Sequence, residues 1–143
     1  MCPLAEERID RYYDKIHAIH ERLALLDEWL LDLDDEPSCL MVKTQYAVFK
    51  VYQEMVEGLM DLIAMALRDQ NVPPHDDYSN IDRISFFSKD DKEVIREMNG
   101  LRNRVVHKYN STDSTLALER IEYLAPFFPH YIGLFEIWIR ESS

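Results

Sequence analysis

Residues 88–109 read Ser88-Lys-Asp-Asp-Lys-Glu-Val-Ile-Arg-Glu-Met-Asn-Gly-Leu-Arg-Asn-Arg-Val-Val-His-Lys-Tyr109. With Arg102 set at zero and about 100° per residue, Val94, Met98, Leu101, Val105 and Tyr109 fall between about 260° and 340°, and Ile95 and Val106 between about 20° and 40°. This is one continuous apolar arc, the signature of a helix and not of a strand. Ser88 followed three residues later by Asp91, with Asp90 and Glu93 beside it, resembles a capping box and places negative charge at the positive end of the helix. Asn110-Ser111-Thr112 stops it. The stretch reads as the central helix of the fold, with Arg102, Asn103, Arg104, His107, Lys108 and Tyr109 gathered in its last turns.

The same period governs the rest of the chain. Ile9, Tyr12, Tyr13, Ile16, Ile19, Leu23, Leu26 and Leu30 recur at three and four, predicting a first helix from Leu4 to about Asp34. It ends in the acidic run Asp32, Asp34, Asp35, Glu36 before Pro37, which cannot continue a helix. A second helix is predicted from Ser38 or Cys39 to Gln70, burying Val42, Tyr46, Phe49, Tyr52, Val56, Leu59, Ile63 and Leu67. Glu54, Glu57 and Asp61 form a carboxylate row on another of its faces, placed to face water or to pair with bases on a neighbouring helix. Asn71 to Ser79, with Pro73 and Pro74, reads as a loop, and Asn80 to Phe87 as a short helix closing one end. A last helix capped by Asp113 or Ser114 turns Leu116, Leu118, Ile121 and Leu124 inward. Pro126 and Pro129 predict a kink before Tyr131 to Ile139 resume. Phe127, Phe128, Tyr131, Phe135 and Trp138 then supply aromatic core or a subunit interface.

Together these predict an all-α, up-and-down bundle of four to five helices with a kinked C-terminal helix, as a single domain over residues 1–143. A chain of 143 residues that is 47% hydrophobic, with only 3 Gly and 6 Pro, suits that reading. The net charge of −11 excludes a protein that coats nucleic acid over its whole surface, yet leaves room for a local basic site. Cys2 and Cys39 form no framework, which fits a reducing cytosol. The acidic start lacks a signal peptide's features, and no apolar run reaches the roughly 18 to 20 residues of a membrane span. A soluble, cytoplasmic protein is therefore expected. His17 and His20 lie three apart but lack a third ligand at a recognisable spacing, so no metal site is assigned.

A guanidinium inside an apolar arc is costly unless it is paired or faces a polar cleft, because arginine cannot shed its charge. Arg102 therefore needs a carboxylate, for which Asp61 is the first candidate, or a phosphate. Asn103 and His107 are four apart, so Asn103 is placed to orient the imidazole. Arginine stabilises charge developing on a phosphoryl group and histidine moves a proton, a pair sufficient for RNA cleavage without metal or other cofactor.

Arg102, His107 and Tyr109 resemble the Arg-x4-His-x-Tyr signature of the HEPN superfamily, and in particular of the HepT toxins. The likeness extends to Tyr52 through Leu67, with Asp61 inside Met-Asp-Leu-Ile-Ala. The resemblance implies a bundle that dimerises with its motif helices face to face, forming a ribonuclease cleft in which Arg102 and His107 are the catalytic pair; the spacing adds Asn103 and Asp61 as supporting residues. It further implies a toxin held inactive by a cognate minimal nucleotidyltransferase antitoxin, which in several members of the family transfers AMP from ATP to the motif tyrosine, here Tyr109. Arg104 and Lys108 add positive charge for RNA binding. The alternative is a non-catalytic HEPN module that uses the same groove to bind a nucleotide or dock a partner.

Overall fold

A computed structural model describes residues 3–31, 42–107 and 111–143, and for 107 and 111–113 the backbone alone. It is an all-α bundle: α1 (Glu6–Leu30), α2 (Val42–Asp69), α3 (Asp77–Arg83), α4 (Lys89–His107), α5 (Ser111–Leu124), a 3-10 turn (Ala125–Phe127) and α6 (Phe128–Ser142). No strand is found among the described residues. The acidic run ahead of Pro37, the start of the predicted second helix, and Cys2 and Cys39 lie outside them.

The central helix is α2 and not the motif helix α4. Beyond the predicted stripe, α2 also buries Val48, Val51, Met55, Met60, Leu62 and Met65, so apolar side chains leave it in nearly every direction. It packs against α1, α3, α4 and α5. Periodicity found one face because its best-spaced residues do lie on one face; the methionines and valines between them supply the second. Val42 and Tyr46, predicted inward, are exposed, since they precede Val48, the first buried residue of the helix.

The carboxylate row on α2 does pair with bases on neighbouring helices. Glu54 meets Arg22 at 2.8 Å and Asp61 meets Lys15 at 3.1 Å, both on α1. Gly58 lies between them, where an added Cβ would stand 3.1 Å from Ile19 Cγ1, so its missing side chain lets α1 approach. At the far end of the pair, Arg8 Nε donates to both oxygens of Asp69 at 2.8 and 3.0 Å, and the Tyr12 hydroxyl donates to Asp69 at 2.5 Å. Burial, and then the Asp69 carboxylate, push the Tyr12 phenol well above its ordinary pKa. The Leu4 amide donates to the Ser142 carbonyl at 2.8 Å, tying α1 to the end of α6.

The loop after α2 is shorter than predicted, and the short helix begins earlier. Asp76 caps α3 by accepting from the Ser79 amide, while Asn80 accepts from the His75 amide at 2.7 Å and donates to the His75 carbonyl at 3.1 Å. Polar residues that read as loop are thus the capping apparatus of the helix itself. Ile84 is extended, which ends α3 before Phe86 and Phe87. These two rings still close one end, Phe86 stacking on Trp138 at 5.4 Å and Phe87 meeting Phe135 edge-on at 5.5 Å.

Ser88 and Asp91 form the predicted reciprocal cap, the Ser88 amide donating to Asp91 Oδ2 at 3.0 Å and the Asp91 amide to Ser88 Oγ at 3.1 Å. His130 Nε2 lies 3.1 Å from the other Asp91 oxygen and fastens this end of α4 to α6. α5 is already under way at Ser111, so Ser114 is a buried residue within it and not its cap. Leu116, predicted inward, is 60% exposed. At about 100° per residue it lies roughly opposite Ser114, Leu118 and Ile121, which face the core. The proline-bearing kink is present as the 3-10 turn, with Pro126 and Pro129 each in a first turn where a missing amide costs least. Phe128, Tyr131, Phe135 and Trp138 are core residues of this chain. No described helix is long and apolar enough to cross a membrane.

Candidate active site on the fourth helix

α4 delivers Arg102 to the space between α2 and α3. The helix buries Ile95, Met98, Asn99 and Leu101, and Arg102 follows within that face, with its side chain 18% exposed. Its Nη2 donates to Asp77 Oδ2 and to Asn99 Oδ1, each at 3.1 Å. Its Nη1 lies 3.8 Å from Glu57 Oε1, within ion-pair range but beyond a hydrogen bond. Its Nε is buried without a partner among the described residues. The guanidinium is therefore held firmly along one edge and loosely along the other.

The predicted partner of Arg102 is corrected by this geometry. Asp61 is exposed and turned to Lys15; the partners of Arg102 are Asp77, Asn99 and Glu57. Glu57 lies one helical turn from Asp61 along the same row, and it is the member facing α4 while its two neighbours face α1. Asn99 is one turn before Arg102, so spacing alone places it alongside. Asp77 had no such signal, since it belongs to a stretch that reads as loop.

Asn103 is half-buried and Arg104 exposed, one and two residues beyond Arg102. Arg104 forms no ion pair or hydrogen bond with the described residues. The α4 backbone runs through His107, but the imidazole lies outside the described residues, as do Lys108 and Tyr109. Val106, placed in the apolar arc by periodicity, is 41% exposed. Arg120 on α5 pairs with Glu97 of α4 and lies over the Tyr123 ring at 4.5 Å. The Tyr52 phenol, which donates to the Met98 carbonyl at 2.8 Å, is pushed well above its ordinary pKa by burial and by Glu97, against the opposing pull of Arg104, Arg102 and Arg120. Cations suit the C-terminal half of α4, because the helix dipole is negative there. For the same reason an incoming phosphate gains nothing from that dipole and has to be held by side chains.

Among the described residues no group of three or more His, Cys, Asp and Glu side chains is placed to hold a metal ion. What the site offers is a fixed guanidinium on a helix that continues into His107, with exposed Arg104 about 200° around the same helix. An all-α bundle with the Arg102–His107 segment on one helix is the arrangement that the resemblance to the HEPN superfamily implies.

Comparison with known proteins agrees. Residues 7–132 match the family "Ribonuclease HepT-like", and the chain belongs to that family. It is 33% identical over 121 residues to an Archaeoglobus fulgidus protein named "Putative RNase", covering 80% of this chain and 83% of that one. A second protein of the same organism and name is 28% identical over 106 residues, covering 72% of this chain and 74% of the relative.

Proposed function

We propose that this protein is a metal-independent endoribonuclease and the toxin of a toxin–antitoxin pair, working in the cytoplasm. Arg102 and His107 act in a cleft between two copies of the chain. His107 takes the proton of a ribose 2′-hydroxyl, that oxygen bonds to the adjacent phosphorus, and the P–O5′ bond breaks as the leaving oxygen receives that proton from the imidazolium, directly or through water. Arg102 stabilises the charge that builds on the phosphoryl oxygens. Asn103 orients the imidazole, and Arg104 and Lys108 draw in the strand. A cognate nucleotidyltransferase neutralises the protein and transfers AMP to Tyr109, which adds bulk and negative charge at the mouth of a site that has to attract phosphate.

The observation that carries this reading is Arg102. A guanidinium only 18% exposed, fixed by Asp77 and Asn99, is a pre-set anion contact on the helix that bears His107, in a chain of the HepT-like ribonuclease family. The test is inducible expression in bacteria of the native chain and of His107→Ala. Growth arrest with RNA fragmentation is expected for the first and not the second. Equal growth and intact RNA in both would sink the toxin reading in favour of a non-catalytic docking module. Co-expression with a cognate nucleotidyltransferase should add AMP mass to the peptide containing Tyr109.

A further inference from the structure

Arg102 does not stand alone in its cleft: it carries one positive charge and is flanked by the carboxylates of Asp77 and Glu57. Its Nη2 edge is filled by Asp77 and Asn99. Its Nε is buried. Among the described residues, the edge left for an incoming anion is Nη1, where Glu57 stands off at 3.8 Å. Any phosphate that reaches Nη1 therefore sits beside two carboxylates, and the guanidinium is already more than neutralised by them. Repulsion from a fixed pair of charges scales with the charge of the incoming group. An internal phosphodiester carries one negative charge, whereas the phosphate of a free nucleotide or a phosphorylated strand end carries close to two above its second pKa of about 6.

From this geometry we infer that Asp77, with Glu57 in a lesser role, makes Arg102 selective for the singly charged internal phosphodiester over doubly charged phosphate monoesters. This rests on the reading of Arg102 as the phosphate contact. Asp77 is a specificity-determining residue: it fixes one edge of the guanidinium and sets the charge that the other edge accepts. Asn99 performs the same fixing without charge, so the arrangement combines a neutral anchor with a charged filter. Asp77 suits substitution because Asp76, and not Asp77, caps α3. An amide at position 77 keeps an oxygen that accepts from Nη2 while removing the charge.

The test uses the full chain and a fluorescent 2′-O-methyl RNA oligonucleotide, which lacks the attacking hydroxyl and stays intact. Unlabelled competitors are a 2′-O-methyl dinucleotide, bearing one diester, and a nucleoside 3′-monophosphate, with displacement followed by anisotropy at about pH 7.5, where the monoester is mostly doubly charged. For the native chain the diester should displace the probe at about tenfold lower concentration than the monoester. Asp77→Asn should shrink that gap to about threefold or less, mainly through tighter monoester binding, and Glu57→Gln should do so more weakly because Glu57 is more distant. An unchanged gap in both variants, with Arg102→Ala still weakening the oligonucleotide, overturns the selectivity role and leaves Arg102 as a phosphate contact. Undiminished oligonucleotide binding by Arg102→Ala overturns the contact itself, and with it the inference.

Discussion

Two arginines in this bundle face the same problem and solve it differently. Arg8 and Arg102 are both largely buried, with side chains 20% and 18% exposed, and each keeps one buried nitrogen without a partner among the described residues. Around Arg8 the solution is closed: both Asp69 oxygens accept from Nε, and Tyr12 adds a short bond to the same carboxylate. Around Arg102 it is open: the carboxylates come from two different helices, one stands beyond hydrogen-bond range, and a neutral amide completes the set. A closed clamp serves to fix one helix on another. An open one holds a charge in place while leaving it something to do.

That contrast can be broken by exchange of roles. The largest expected effect is on chemistry: Arg102→Ala or His107→Ala should lower RNA cleavage by about a thousandfold, the scale of losing a positioned charge or proton carrier, whereas Arg8→Ala, assayed well below its melting point, should change it by less than about threefold. Comparable losses from both arginines in a fluorogenic RNA assay would mean that the Arg102 cluster is only a strut. Next comes stability. Asp69→Ala strands Arg8 and Tyr12 and should cost about 3 kcal/mol in urea unfolding, near the lower end for breaking a buried pair because some water reaches it. Asp77→Ala, at a more exposed carboxylate, should cost less than about 1 kcal/mol.

Smaller effects sharpen the picture of how α4 is held. Tyr52→Phe removes a buried hydrogen bond to the Met98 carbonyl and should cost about 1 kcal/mol, read from the shift in denaturation midpoint at unchanged slope. At the other end of α4, burial alone would raise the Asp91 pKa, but the bonds from Ser88 and the approach of His130 hold it below the usual carboxylate range. A depressed folded pKa contributes stability that is present above the unfolded value of about 3.9 and lost as pH falls through the folded one. Asp91→Asn should therefore destabilise by about 1 kcal/mol near neutrality, with the difference from the native chain closing as pH falls below the unfolded carboxylate value and through the depressed folded one. A constant difference across that range would assign the effect to packing.

The α4 apolar arc from Val94 to Val105, the Ser88–Asp91 cap and the proline break were all legible in the sequence, because each depends on residues close together along the chain. The burial of α2 on several faces was not, since a periodic stripe reports the strongest face and Met55, Leu62 and Met65 lie off it. Arg102 was recognisable as a residue in need of a partner, and the carboxylate row as a source of one. Which member of the row would serve was not recognisable: Glu57 and Asp61 differ by one turn, and the choice is made by how α1 and α4 divide the sides of α2. Asp77 was hidden more deeply, since its position depends on α3 starting within a stretch rich in turn-forming residues. Asn103 and Arg104 were placed by spacing and stand where the helix carries them.

The Tyr52 hydroxyl has a reach beyond its own hydrogen bond. The Met98 carbonyl to which it donates belongs to the residue four before Arg102, the position whose oxygen receives the Arg102 amide in a regular α-helix. One oxygen thus joins the middle of α2 to the backbone segment that aims the guanidinium. Substitutions deep in the core that rotate α2 by a fraction of a turn would re-aim Arg102 without touching it, so activity is expected to be lost to conservative packing changes around Tyr52 before the bundle itself unfolds.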